Sequence, residues 1–136
     1  MKAIICDIDG TLAEKGTRFQ FDYEKVDQDS VKHAVAETVR LFHKAGYKIV
    51  ILSGREDICR EKTEAWLKNN DIPFEALYMR KAKDFRKDAI IKRELYETDI
   101  KPKYDVLCVL DDRDQVVEMW RKELGLPCFQ VDYGNF

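Results

Sequence analysis

An apolar run from Ala3 to Cys6 that stops at two aspartates spaced i, i+2 and then at a Gly-Thr turn constrains this chain more than any other feature. Consecutive apolar residues bounded by turn chemistry read as a buried strand, here one that delivers acids to its carboxyl end. Side chains two apart in a strand share a face, so Asp7 and Asp9 start as neighbours, and Gly10 lets the chain leave sharply without a Cβ penalty. Like charges held this close call for a counter-ion, and carboxylate oxygens suit Mg2+. A calcium-binding loop is excluded: counted from Asp7, Leu12 falls where the glycine belongs and Arg18 where the bidentate glutamate belongs.

The same design recurs. YKIVILSGR is an apolar run with a sharp polar exit, YDVLCVLDD ends again in acids, and FEALYM and CFQV read as two further strands. Between them the period is helical. About Ser30 to Ala45 carries Val31, Val35, Val39 and Phe42 up to a stop at Gly46, and about Ile58 to Asn69 carries Cys59, Thr63, Trp66 and Leu67 on one side. The charged segment RKAKDFRKDAIIKRELYE offers Phe85, Ala89, Ile91 and Leu95 as a loose apolar face, and RDQVVEMWRKELG turns Val116, Val117, Trp120 and Leu124 inward before Gly125. Phe19, Phe21 and Tyr23 alternate as in a small hairpin or flap. Strands alternating with helices predict an α/β domain over residues 1–136, a Rossmann-like parallel five-stranded sheet with helices on both faces. Ligands of such sheets bind beyond the carboxyl ends, where the DIDGT, SGR and DDRD turns converge.

Composition narrows the class. A chain of 136 residues that is 45% hydrophobic supports one sizeable core and not two. Its charged fraction of 37% nets to only -2, so any basic surface for nucleic acid is local. Cys6, Cys59, Cys108 and Cys128 form no CxxC pair and predict reduced, intracellular thiols; His33 and His43 lack cysteine partners, which argues against zinc. No signal peptide or bilayer-length apolar stretch is present, so a soluble cytoplasmic protein without a membrane partner is expected.

DIDGT resembles the first motif of the haloacid dehalogenase superfamily of phosphatases. The resemblance implies a fold of that type and makes Asp7 a nucleophile that forms an aspartyl-phosphate, with Asp9 protonating the leaving oxygen and later activating water. Ser53 and the backbone around Gly54 can donate to phosphoryl oxygens, where transition-state charge collects. Lys92 resembles the third-motif lysine, although an ordinary helix pair with Asp88 is the simpler reading of that lysine alone. Asp111 and Asp112 resemble the fourth motif, which holds Mg2+ together with Asp7 and the backbone carbonyl of Asp9; Asp112 as a helix N-cap is the alternative.

Longer stretches carry a finer resemblance. DIDGTLAEKGTR, DYEKVDQD, GYKIVILSGRE, FRKDAIIKRELYE and DDRDQVVEMWRKELGLPCFQVDYGNF are similar to the 3'-phosphatase domain of phage-type polynucleotide kinase/phosphatases. This implies Mg2+-dependent removal of 3'-phosphate from DNA or RNA ends. Arg55 becomes a phosphate-side residue, and Arg18, Asp29 and Asp88 become groups that orient the site. For Arg55 a salt bridge to a nearby acid is the competing reading, and for Asp29 a helix N-cap. The kinase loop GxxxxGK[ST] is absent, so no kinase activity is expected, and a separate kinase or ligase is the expected partner. There is no room for a cap domain between Thr11 and Ser53 or between Ser53 and Lys92; the open site admits a polymer end, with Arg80, Lys81, Lys83, Arg86 and Lys87 available to its phosphates. A nucleotide or sugar phosphatase is the alternative activity, and a noncatalytic end-binding module the alternative of another class. Oligomeric state is left open.

Overall fold

A computed structural model describes residues 1–14 and 23–136. Five parallel strands, β1 (Lys2–Cys6), β2 (Lys48–Glu56), β3 (Ala76–Arg80), β4 (Asp105–Asp111) and β5 (Cys128–Gln130), form one sheet in the order β3-β2-β1-β4-β5. The connecting helices are α1 (His33–Lys44), α2 (Arg60–Asn69), α3 (Asp88–Leu95) and α4 (Asp114–Glu118); π-helical turns over Tyr96–Ile100 and Met119–Glu123 extend α3 and α4. The expected Rossmann-like sheet is present. The Phe19–Phe21 part of the expected flap lies outside the described residues, while Tyr23 opens a short 3-10 turn, Tyr23–Gln28.

Strand alternation sorts the core into two layers. Ile4 and Cys6 of β1 join Ile49, Ile51, Leu77 and Leu110 under α1 and α2, where Val39, Trp66 and Leu67 face in. Ala3 and Ile5 join Val50, Leu52 and Val109 on the opposite face, closed by Val116, Val117, Tyr96 and Trp120. Burial on both faces is why the strands read as continuous apolar runs. Tyr96 and Trp120 meet edge to face, with ring centroids 5.6 Å apart. All four cysteines are buried free thiols.

The expected apolar faces of α1, α2 and α4 are in place, Phe42 and Leu124 partly buried at their margins. Phe85 is the exception: it is 83% exposed, because α3 begins only at Asp88 and Lys83 takes a left-handed φ of 66° that turns the preceding loop outward. No helix among the described residues is long and apolar enough to cross a membrane.

Candidate active site

The strand order reverses at β1, so the loops after β1, β2 and β4 open on one crevice. Asp7 stands just past β1, its backbone N–H donating to Leu110 O at 3.0 Å, and Asp111 ends β4. Asp7, Asp111 and Asp112 each offer an oxygen within 4.8 Å of the others, and all three are buried. Lys92 on α3 reaches into this cluster from 85 residues away. Its ammonium donates to Asp7 Oδ1 at 2.9 Å and Asp111 Oδ2 at 3.0 Å, both shorter than its 3.6 Å pair with Asp88 one turn earlier.

Burial pushes the Asp7 carboxyl well above the ordinary carboxylate range, Asp111 adds to the push, and Lys92 opposes it. For Lys92 burial works against the charge, yet Asp111, Asp7 and Asp88 outweigh it and hold the ammonium well above the usual lysine range. Three hard oxygen donors around a cationic neighbour suit Mg2+ and give zinc no soft ligand.

Asp9 is held differently. Arg55 grips both of its oxygens, Nε to Oδ2 at 2.9 Å and Nη2 to Oδ1 at 2.8 Å. The guanidinium is itself buried and braced by Thr63 Oγ1 at 3.1 Å and Asp29 Oδ2 at 3.2 Å. Arg55, expected on the phosphate side, thus has its fork on an acid of the site. Asp29 is no helix cap, since α1 starts at His33 with Lys32 as its N-cap; its carbonyl accepts from Trp66 Nε1 at 2.8 Å, which fixes it for Arg55.

Ser53 is fully buried, and its Oγ accepts the Arg55 backbone N–H at 3.1 Å, while Gly54 lines the crevice beside it. Asp88 lies against Gly54, where a Cβ would come within 2.9 Å of its Cγ, and it pairs with Arg80 at 3.3 Å and Arg113 at 3.7 Å. Arg18 falls outside the described residues. The cation track expected over Arg80 to Lys87 is only partly available. Arg80 is turned inward onto the carbonyls of Gly54, Asp84 and Arg86, and Arg86 pairs with Asp84 and Glu94. Lys81, Lys83 and Lys87 are exposed.

Several contributors escaped the sequence reading. The Thr11 hydroxyl lies 3.0 Å from Asp7 Oδ2 and 3.2 Å from Asp112 Oδ1, tying the first and fourth turns together. Gly10, expected from the sequence as the sharp exit, has φ 83°, and a Cβ there would sit 2.6 Å from Asp112 Cγ, a contact no local pattern announced. Lys32 donates to Gly10 O at 2.8 Å and pairs with Asp132, and Asp114 N–H donates to Gly134 O at 2.7 Å, so the C-terminal stretch buttresses both acidic turns. Only the DIDGT motif itself could have flagged Thr11; the other contacts have no local pattern.

A parallel sheet in this order, with an Asp-x-Asp turn after the central strand, a lysine from a later helix and an acidic pair after the next strand, defines a haloacid dehalogenase-type phosphatase fold. Within that class the chain belongs to the phosphatase-domain family of polynucleotide kinases: the sequence model of the polynucleotide kinase PNKP phosphatase domain matches residues 1–136. The chain is 37% identical over 141 residues to a protein of Autographa californica nuclear polyhedrosis virus described as a bifunctional polynucleotide kinase/RNA ligase, covering 99% of this chain and 20% of that one. It superimposes with TM-score 0.97 and 49% identity on a chain of the Pnkp1/Rnl/Hen1 RNA repair complex, covering 99% of this chain and 43% of that chain. The class C acid phosphatase of Bacillus anthracis shares the fold at TM-score 0.68 and 14% identity, over 98% of this chain and 68% of its own. The chain therefore spans about a fifth of the curated relative and under half of the repair-complex chain.

Proposed function

We propose that this chain is an Mg2+-dependent polynucleotide 3'-phosphatase acting on RNA or DNA ends through an aspartyl-phosphate. The observation that carries the reading is Asp7, whose Oδ1 is 2.9 Å from the Lys92 ammonium while Asp9, on the same turn, is forked by Arg55. Kinship with proteins described as belonging to RNA repair and to kinase/ligase enzymes supports a nucleic-acid end as substrate and a kinase or ligase activity as its companion.

In the first half-reaction an Asp7 oxygen attacks phosphorus and the bond to the 3'-oxygen breaks, the departing oxygen taking the Asp9 proton. In the second, Asp9 takes a proton from water, whose oxygen attacks the same phosphorus, freeing phosphate and regenerating Asp7. The Arg55 fork holds both Asp9 oxygens and so fixes the acid's orientation for proton transfer. Lys92 stabilises charge on the phosphoryl oxygens, with the Gly54 backbone and Ser53 as further phosphate-side groups. Asp7, Asp111 and Asp112, with the main chain of Asp9, are the groups that would hold Mg2+, which when bound neutralises the charge that carboxylates and phosphate share.

The test compares kcat/KM on a 3'-phosphorylated oligonucleotide and on the matching 3'-mononucleotide, with and without Mg2+. A preference for the oligonucleotide, strict metal dependence and no phosphate release by a folded Asp7→Asn variant are expected. Equal specificity constants would assign the site to small metabolites instead, and turnover by Asp7→Asn protein free of deamidation would reject the covalent route.

A further inference from the structure

We propose that Phe85 is a stacking platform for the base of the terminal nucleotide whose 3'-phosphate sits at Asp7; this rests on the polynucleotide reading above. Phe85 is 83% exposed and lines the same cavity, of about 400 Å³, as Asp7, Asp9, Gly54 and Arg113. A lone exposed phenylalanine is unremarkable in itself. Two further observations give this one a task.

The backbone on either side of the ring is fixed. Arg80 Nη1 donates to the carbonyls of Asp84 and Arg86 at 2.8 and 2.6 Å, and Asp84 clasps the Arg86 guanidinium at 2.8 and 3.0 Å. Further back, Lys83 N–H donates to Glu56 Oε1 at 2.8 Å and Ala82 N–H to Asp57 Oδ1 at 3.1 Å, both acceptors lying just after the SGR turn. The loop thus presents an apolar ring while spending its polar groups on holding its own backbone, so the loop has little freedom to lose when a base lies on the ring.

The cavity is also graded. Its buried lining residues Asp7, Asp111 and Asp112 are acidic and suited to metal and phosphate, whereas its exposed ones include Phe85 and Lys87. A volume of about 400 Å³ falls in the range that encloses a small organic molecule rather than a bare phosphate. Because Arg80 is turned inward and the half-exposed Arg86 is paired with Asp84 and Glu94, the loop has an aromatic face to offer more than a file of unpaired guanidinium groups. An aromatic face accepts any base, and an end-processing enzyme requires that tolerance.

The experiment is a cycle on kcat/KM with the wild type, Phe85→Ala and Phe85→Trp, each on an oligonucleotide ending in a normal nucleoside 3'-phosphate and on one whose terminal residue is abasic. Stacking at one base predicts that Phe85→Ala loses about 5- to 150-fold on the normal end, mainly through KM. The loss on the abasic end is then at least several-fold smaller, so the two changes are not additive, and Phe85→Trp restores the normal-end value. Equal losses on both ends, or none, overturn the proposal. If the wild type itself shows no preference for oligonucleotide over mononucleotide, the underlying reading fails; an intact preference with an additive cycle removes Phe85 alone.

Discussion

Lys92→Met tests whether the buried lysine is the counter-ion that lets the acidic turns coexist. The substitution keeps the apolar stem and deletes the ammonium, leaving Asp7, Asp88 and Asp111 facing one another with their side chains at most 10% exposed. Lys92 keeps its charge despite burial, so attraction to these acids exceeds its desolvation cost, and its removal is a net loss. Breaking a buried pair costs about 3–5 kcal/mol. At an unfolding entropy of about 2.1 cal/mol/K per residue, 136 residues convert this into a Tm lower by roughly 10–17 °C. The pH dependence follows from the same contacts. Lys92 is the cation that pulls the Asp7 proton affinity down, so without it the already raised carboxyl rises further. The folded variant then binds more protons than the unfolded chain between the ordinary carboxyl value of about 4 and the raised Asp7 value. Stability therefore falls as pH rises through that window, and acidification narrows the deficit. Thermal unfolding of both proteins in EDTA, followed from neutral pH down toward the ordinary carboxyl value of about 4, reads this directly. A deficit under about 1 kcal/mol, or one that does not shrink on acidification, would refute the counter-ion argument.

Gly10→Ala should cost stability and disable the site, since its left-handed φ is joined by a Cβ that would displace Asp112 from Thr11; Gly125→Ala, with φ 65° but open space around it, should lose about 1–2 kcal/mol by denaturant unfolding and keep its activity. Loss of activity in both, or in neither, would contradict the steric account. Asp9→Asn should slow the first half-reaction far more on a 3'-phosphorylated oligonucleotide than on p-nitrophenyl phosphate, whose leaving group departs without a proton. Rapid-quench traces should then show a burst of p-nitrophenolate with phosphorylated Asp7 accumulating. Equal slowing of that step on both substrates, at unchanged Mg2+ affinity, removes Asp9 as the acid.

Much of the fold was legible because its signals are local. Apolar runs of strand length, the 3.6-residue period of Val116, Val117 and Trp120, and turn residues at Gly10, Gly46 and Gly125 are each written within a few positions, and right-handed βαβ connection brings the strand ends together. Asp7, Asp9, Asp111 and Asp112 were legible for the same reason: strand ends of a parallel sheet face one crevice. Phe85 was misplaced because helical period continues on paper past the point where a left-handed residue and a ring of polar contacts hold the chain in a loop. What only the tertiary structure decided is which charge meets which. Lys92 reaches Asp7 across 85 residues and Arg55 forks Asp9 across 46, while Asp29, in the loop before α1, and Thr63 of α2 hold that fork. An exposed pair on one helix gains little from its partner, but a buried cation must satisfy every acid around it, and the packing of distant segments chooses those acids.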